Sequence, residues 1–269
     1  MRTRTRPTIV TAVFASMALL LLLPLVFTPA RSAERPSLLY ATLPFSPLSQ
    51  LAAFSLEAKR GRVIGKIGYP LSAALAFCPP GGKAYTVTNI FSSSPQLATL
   101  NLGTGTATPV GSPLPLGQDF MGMVCSRDGT LYGVGQSDYT NPDYNSLYII
   151  NRANGVLGRI GSTGVNDGTG DDMFMALSFA PDGTLYGATP LALYTIDLKS
   201  GLATKVIDFS ANVASNVMGM AIDADGNFYL ADFTSDSLIY ALDPRTGVAA
   251  PILNTGLSYV HSIAFKTPG

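Results

Sequence analysis

Apolar residues in this chain fall in short alternating bursts, each closed by a turn-forming pair, and the bursts recur about every 45 residues. One half of the unit reads Met121-Gly-Met-Val-Cys-Ser-Arg-Asp-Gly-Thr-Leu-Tyr-Gly133. The other half reads Leu193-Tyr-Thr-Ile-Asp197 and ends at Gly201. Period-two runs of aromatic and β-branched residues bounded by Asp-Gly pairs are hairpin signals, and no helical period competes with them. Each unit parses as four strands, A to D. Strand A is small and apolar (Met218–Ile222), B carries Leu-Tyr (Thr184–Gly187), C alternates (Leu193–Asp197) and D follows a second glycine (Ala203–Ile207).

Two series keep the same register. Tyrosines after the first turn stand at Tyr40, Tyr85, Tyr132, Tyr186 and Tyr229. Glycines of the second turn stand at Gly61, Gly105, Gly155, Gly201 and Gly247, each four residues after Glu57, Asn101, Asn151, Asp197 or Asp243. Short polar side chains bond backbone two residues on, and glycine supplies a positive φ. Five units of four strands predict an all-β, five-bladed β-propeller with antiparallel blades. The first unit (Leu38-Leu39-Tyr40 onward) lacks a strand A, and a lone strand A stands at His261–Phe265. The expectation is a ring closed by N-terminal strands B, C and D plus C-terminal strand A. A piece of a larger ring, or an array that dimerises, is the alternative.

Residues 1–33 read as a signal peptide: Arg2, Arg4 and Arg6, an apolar run from Ile9 to Phe27, then small residues at Ala30 and Ala33. An uncleaved anchor is the other reading. The expectation is a secreted or periplasmic protein with one propeller domain over 34–269. Removing the signal leaves 13 basic against 17 acidic residues, a net charge of about −4. That balance argues against nucleic acid and an anionic membrane as partners. The basic cluster Lys59-Arg60-Gly61-Arg62 to Lys66 reads as a solvated turn. A monomer is expected.

Cys78 and Cys125 fall at the ends of strands A in neighbouring units. Facing sheets near 10 Å apart favour two free thiols, while export and convergence near the axis leave a disulfide open.

Candidate chemistry collects just before each strand A, where loops meet the channel mouth. Those positions are Leu71, Asp119, Asp172, Asn216 and Tyr259, with His261 slightly further in. Asp119, Asp172 and Asn216 form a candidate metal set suited to Ca²⁺; the same side chains also cap turns. The loop Gly164–Asp172 resembles calcium loops in composition but lacks their spacing and terminal Glu. A second long loop, Gln136–Asn145, offers Tyr139, Asn141, Asp143 and Tyr144 as recognition residues, or as a cover for the blade edge. The repeated methionines (Met121, Met123, Met175, Met218, Met220) read as core packing, and the sole histidine, His261, as an inner-strand residue.

The runs Pro181–Gly187 and Leu193–Asp197 resemble exported bacterial propellers with NHL-like, YVTN-like and gluconolactonase-like repeats. The resemblance spans the mature chain and implies fold more than activity. Gluconolactonase-like enzymes hold a divalent metal with a Glu among its ligands, whereas this mature chain has only Glu34 and Glu57. The reading is therefore an exported binding module whose loop face takes a protein, glycan or small ligand, leaning away from an enzyme. The candidate ligand-binding residues are Asp119, Asp172, Asn216, Tyr259, His261, Tyr139, Asp143 and Tyr144. The alternative is a metal-dependent hydrolase or lyase at the channel mouth.

Overall fold

The computed structural model describes residues 38–45, 48–135, 137–209 and 216–266. The signal segment lies outside them. Within them the repeat becomes five four-stranded antiparallel sheets. Blade two is β4 (Ala73–Cys78), β5 (Lys83–Thr88), β6 (Gln96–Leu100) and β7 (Ala107–Pro109). Blade three is β8 (Gly122–Cys125), β9 (Leu131–Gly135), β10 (Ser146–Ile150) and β11 (Leu157–Ser162). Blade four is β12 (Ala176–Phe179), β13 (Leu185–Ala188), β14 (Ala192–Ile196) and β15 (Ala203–Asp208). Blade five is β16 (Val217–Ile222), β17 (Phe228–Asp232), β18 (Leu238–Leu242) and β19 (Ala249–Asn254). Blade one joins β1 (Leu39–Leu43), β2 (Gln50–Ser55) and β3 (Arg60–Lys66) to β20 (Ile263–Phe265), in the order β20-β1-β2-β3. The composite blade is therefore as the sequence predicts, with Leu39 opposite Phe265 and Ala41 opposite Ile263.

The five inner strands touch in a closed cycle, β20 to β4, β8, β12, β16 and back to β20. Small residues make that approach feasible: a Cβ on Gly122 would lie 2.9 Å from the Ala176 backbone, and one on Gly219 would lie 2.5 Å from the His261 carbonyl oxygen. A bond reaches past blade two, from Ser262 Oγ before β20 to the Met121 carbonyl before β8, at 3.1 Å. Met121, Met123 and Met175 are buried in one apolar cluster, as packing residues would be.

The repeated tyrosine has a defined task. Tyr40 packs on Phe77, Tyr132 on Phe179, Tyr186 on Phe228 and Tyr229 on Phe265, with centroids 4.9–5.8 Å apart. Each pair joins one blade to the next, in tilted or edge-on geometry that suits aromatic quadrupoles. Cys125 stands where Phe179 stands in the following blade, so among the described residues Tyr85 has no such partner at the junction of blades two and three. There Cys78 and Cys125 form a disulfide, with Cα atoms 5.1 Å apart. The expectation of free thiols is thus corrected. Sheets splay outward from the axis, and at their inner strands they lie far closer than the usual face-to-face spacing.

Blade one corrects the glycine series as well. The Gly105, Gly155, Gly201 and Gly247 amides each donate to the carbonyl four residues earlier, with φ between 70° and 84°. In blade one the positive φ falls on Lys59 (47°), and the cap is Ser55 Oγ, which accepts from the Ala58 amide. Glu57 and Gly61 are two residues out of register. Gly61 instead faces Phe54, whose ring occupies the space a Cβ would need.

Candidate functional site

Antiparallel succession puts both kinds of tight turn, A–B and C–D, at one end of the ring, here the turn face. The B–C and D–A connections share the other end, the loop face. The loop face therefore comprises the described residues 44–45, 48–49, 89–95, 137–145, 189–191 and 233–237, with 67–72, 110–121, 163–175, 209, 216 and 255–262. Every sequence-predicted site residue lies there.

Their surroundings differ sharply. Asp119 is buried, its Oδ1 accepting from the Phe91 amide at 2.7 Å and its Oδ2 from Ser137 Oγ at 2.7 Å. One carboxylate thus ties loop 89–95 to loop 136–145. Asp172 is half-buried, and its Oδ1 accepts from the Tyr144 hydroxyl at 3.0 Å. Burial raises the Asp172 carboxyl above its usual range, and burial, with Asp172 beside it, raises the Tyr144 phenol. Tyr144 itself is buried, so of the two expected recognition tyrosines only Tyr139 is exposed, at 44%. Asp143 is held by Arg159 at 2.7 Å. The Asn216 carbonyl accepts from the Phe233 amide. Asp172 and Tyr144 are brought together, whereas Asp119 engages other partners. Among the described residues, no three His, Cys, Asp or Glu side chains gather as a metal-holding group.

Two further clamps carry no signal in the repeat. Asn145, at φ 51°, donates from Nδ2 to the Val165 and Asp172 carbonyls and accepts the Phe174 amide. Asp232 accepts from the Leu238 amide at 2.8 Å and the Tyr240 hydroxyl at 2.9 Å. Their one sequence cue is a polar residue where a strand meets a loop.

His261 is buried, and desolvation lowers its pKa to about 4. Its Nδ1 lies 3.0 Å from Ser262 Oγ. Because that hydroxyl donates to the Met121 carbonyl, Nδ1 carries the proton and donates to Ser262, leaving Nε2 as an acceptor. Nε2 has no partner among the described atoms. Phe233 meets the imidazole edge-on at 5.8 Å, and Phe45 and Tyr259 complete the cluster at 5.2–5.8 Å. Exposure rises outward, from 2% at His261 to 39% at Tyr259 and 59% at Phe45.

The exposed aromatic rings and the charges are both polarised. Phe45, Phe91, Leu116, Tyr139, Leu191 and Tyr259 are exposed on the loop face. Phe91 and Tyr259 hold φ of 59° and 57°, a region bulky residues seldom occupy. The described loop-face residues include seven aspartates (119, 138, 143, 167, 171, 172, 236) and no lysine or arginine. Arginines and lysines sit on the turn face or outer strands, as at Arg127, Arg152, Lys199 and Arg245.

Residues 92–262 match the family described as "Repeat of unknown function (DUF6923)", and the chain belongs to that family. No curated protein matches the sequence. A protein of unknown function from Bacteroides thetaiotaomicron VPI-5482 aligns with a TM-score of 0.57 at 15% identity, over 82% of this chain and 60% of that one. This chain thus spans about three-fifths of that relative's length. A chain of a Nidogen/Laminin complex aligns at 0.54 and 13% identity, over 86% of this chain and 98% of that one. A protein of unknown function from Bacteroides caccae gives 0.51 at 13% identity, over 86% and 99%. At these identities the likeness establishes the propeller fold alone.

Proposed function

We propose that the protein is an extracytoplasmic binding module whose loop face receives its ligand. The carrying observation is the gathering of exposed aromatic rings on that face, two of them on backbone in the left-handed region. An exposed ring forfeits burial worth about 1.5–3 kcal/mol, and an occupant that covers it restores that gain. Backbone outliers of this kind concentrate at ligand-contacting segments. The disulfide supports the compartment, since such bonds persist where thiols are not kept reduced. A propeller of similar fold occurs in the Nidogen/Laminin complex, which is consistent with a role in binding.

The turn face supplies an internal control, because Val156, Leu202 and Val248 are exposed there at matching positions. One variant carries Phe45→Ser, Phe91→Ser and Tyr259→Ser; the other carries Val156→Ser, Leu202→Ser and Val248→Ser. Both are immobilised and presented with envelope and medium fractions. A ligand held by the wild type and the turn-face variant, and lost by the loop-face variant with an unchanged melt, supports the reading. Equal retention by all three refutes it.

A further inference from the structure

We infer that the occupant of the loop face is a cationic polypeptide segment, one whose lysine or arginine side chains lie over the exposed rings. The inference rests on the binding role just proposed and adds the chemistry of the partner. Three independent observations converge on it.

The first is the pairing of ring with carboxylate. Tyr139 stands against Gly170, where a Cβ would come within 3.1 Å of the ring, and its carbonyl accepts from Asn166 Nδ2 at 3.0 Å. It is thereby fixed on the loop that carries Asp167 and Asp171. Asp167 spends its Oδ1 on the Thr169 hydroxyl and on the Thr169 and Gly170 amides, which leaves Oδ2 to solvent. Asp171 is exposed and has no ion-pair partner among the described residues. A second station repeats the theme. The Tyr259 amide donates to the Thr234 carbonyl, which seats Tyr259 on the loop that carries Asp236. An aromatic ring tied to a carboxylate-bearing loop suits an ammonium or guanidinium group through cation–π attraction and charge.

The second is the sign of the whole face. The described loop-face residues include no lysine or arginine, and Arg159, which reaches them from β11, is spent on Asp143, so an anionic partner is disfavoured and a cationic one is steered toward the face. The third is His261. Its imidazole packs edge-on against Phe233 of the Phe45–Phe233–Tyr259 cluster, its Nε2 is buried with no partner among the described residues, and such an acceptor is matched by an N–H donor.

A fluorescein-labelled decalysine peptide tests this by anisotropy, with decaglutamate as the control and salt raised from about 0.05 to 0.5 M to screen charge. Decalysine is expected to bind and decaglutamate not to. Asp167→Asn with Asp171→Asn and Asp236→Asn should weaken decalysine about tenfold, roughly one pairing's worth of affinity. Tyr139→Leu with Tyr259→Leu should weaken it severalfold and make what remains more salt-sensitive. Asp182→Asn with Asp225→Asn, on the turn face, should leave it unchanged. The inference is overturned if decalysine does not bind at low salt, if the loop-face variants bind it undiminished, or if the turn-face variant loses as much as they do. A protein that still captures its ligand through the loop-face rings yet ignores decalysine would keep the binding role and refute the cation.

Discussion

The two ends of this ring are made by different rules. On the turn face the same device recurs: an Asn or Asp accepts the amide two residues on, as Asn101, Asn151, Asp197 and Asp243 do, and glycine takes the positive φ. These bonds are local and solvent-exposed, and each repeats its neighbour. On the loop face the connections run from three residues (189–191) to thirteen (163–175), and single buried polar groups reach across 18 to 29 residues of sequence, as Asp119 and Asn145 do. Repetition builds the scaffold. Its suspension at one end frees those loops to differ, and binding chemistry needs them to differ.

That contrast can be broken from either side. The largest expected effect is on the turn side of the inner strands. Cys78→Ser with Cys125→Ser removes a bridge spanning 47 residues and should cost about 4 kcal/mol, by the loop-closure argument, in a denaturant melt. A loss below about 1 kcal/mol would show that the Tyr85 junction is held by packing alone.

Acid should act next, through the loop side. His261 has a folded pKa of about 4 against about 6.5 unfolded, so the unfolded chain binds the extra proton first. The contribution is complete above about pH 6.5 and is lost as pH falls toward 4, a swing of about 3 kcal/mol. Melts at pH 7 and pH 4 should therefore converge for His261→Gln relative to the wild type; parallel acid losses in both would mean the imidazole is not the sensor.

Asp119→Ala strips two loops of a shared acceptor and should cost about 2 kcal/mol. Amide exchange at Phe91 should quicken while turn-face amides stay protected. Arg245→Ala should cost less than about 0.5 kcal/mol, since its pair with Asp243 is exposed and the turn keeps its backbone bonds. A larger loss there would mean that the turn caps act together as a network.

The same contrast explains what was legible in the sequence. Tyr40, Tyr85, Tyr132, Tyr186 and Tyr229 repeat because every junction sets the same packing problem, so blade number, strand order and ring closure follow from spacing. Where a junction solved it differently, spacing misled. Cys125 stands in place of a phenylalanine, and the departure marks the disulfide. In blade one Lys59 took the glycine's position, and the series was read two residues late. The loop-face clamps leave no periodic trace. Asp119, Asn145 and Asp232 could be noticed as polar residues, but their partners at Phe91, Ser137 and Tyr240 depend on which loops the ring brings together. Tyr144 looked exposed because its neighbours are polar, and its hydroxyl is in fact turned toward Asp172.

The pairing of β20 with β1 also has a consequence in time. During synthesis β1 emerges early and its inner neighbour last, from Leu39 to Ile263, so at about 5–20 residues per second that edge waits roughly 10 to 45 seconds for its partner. Blades two to five can each finish a sheet once their own four consecutive strands have emerged. Blade one alone keeps the inner edge of β1 open throughout, though β2 pairs its other side, and a chaperone or a second chain meets that edge before its own partner does.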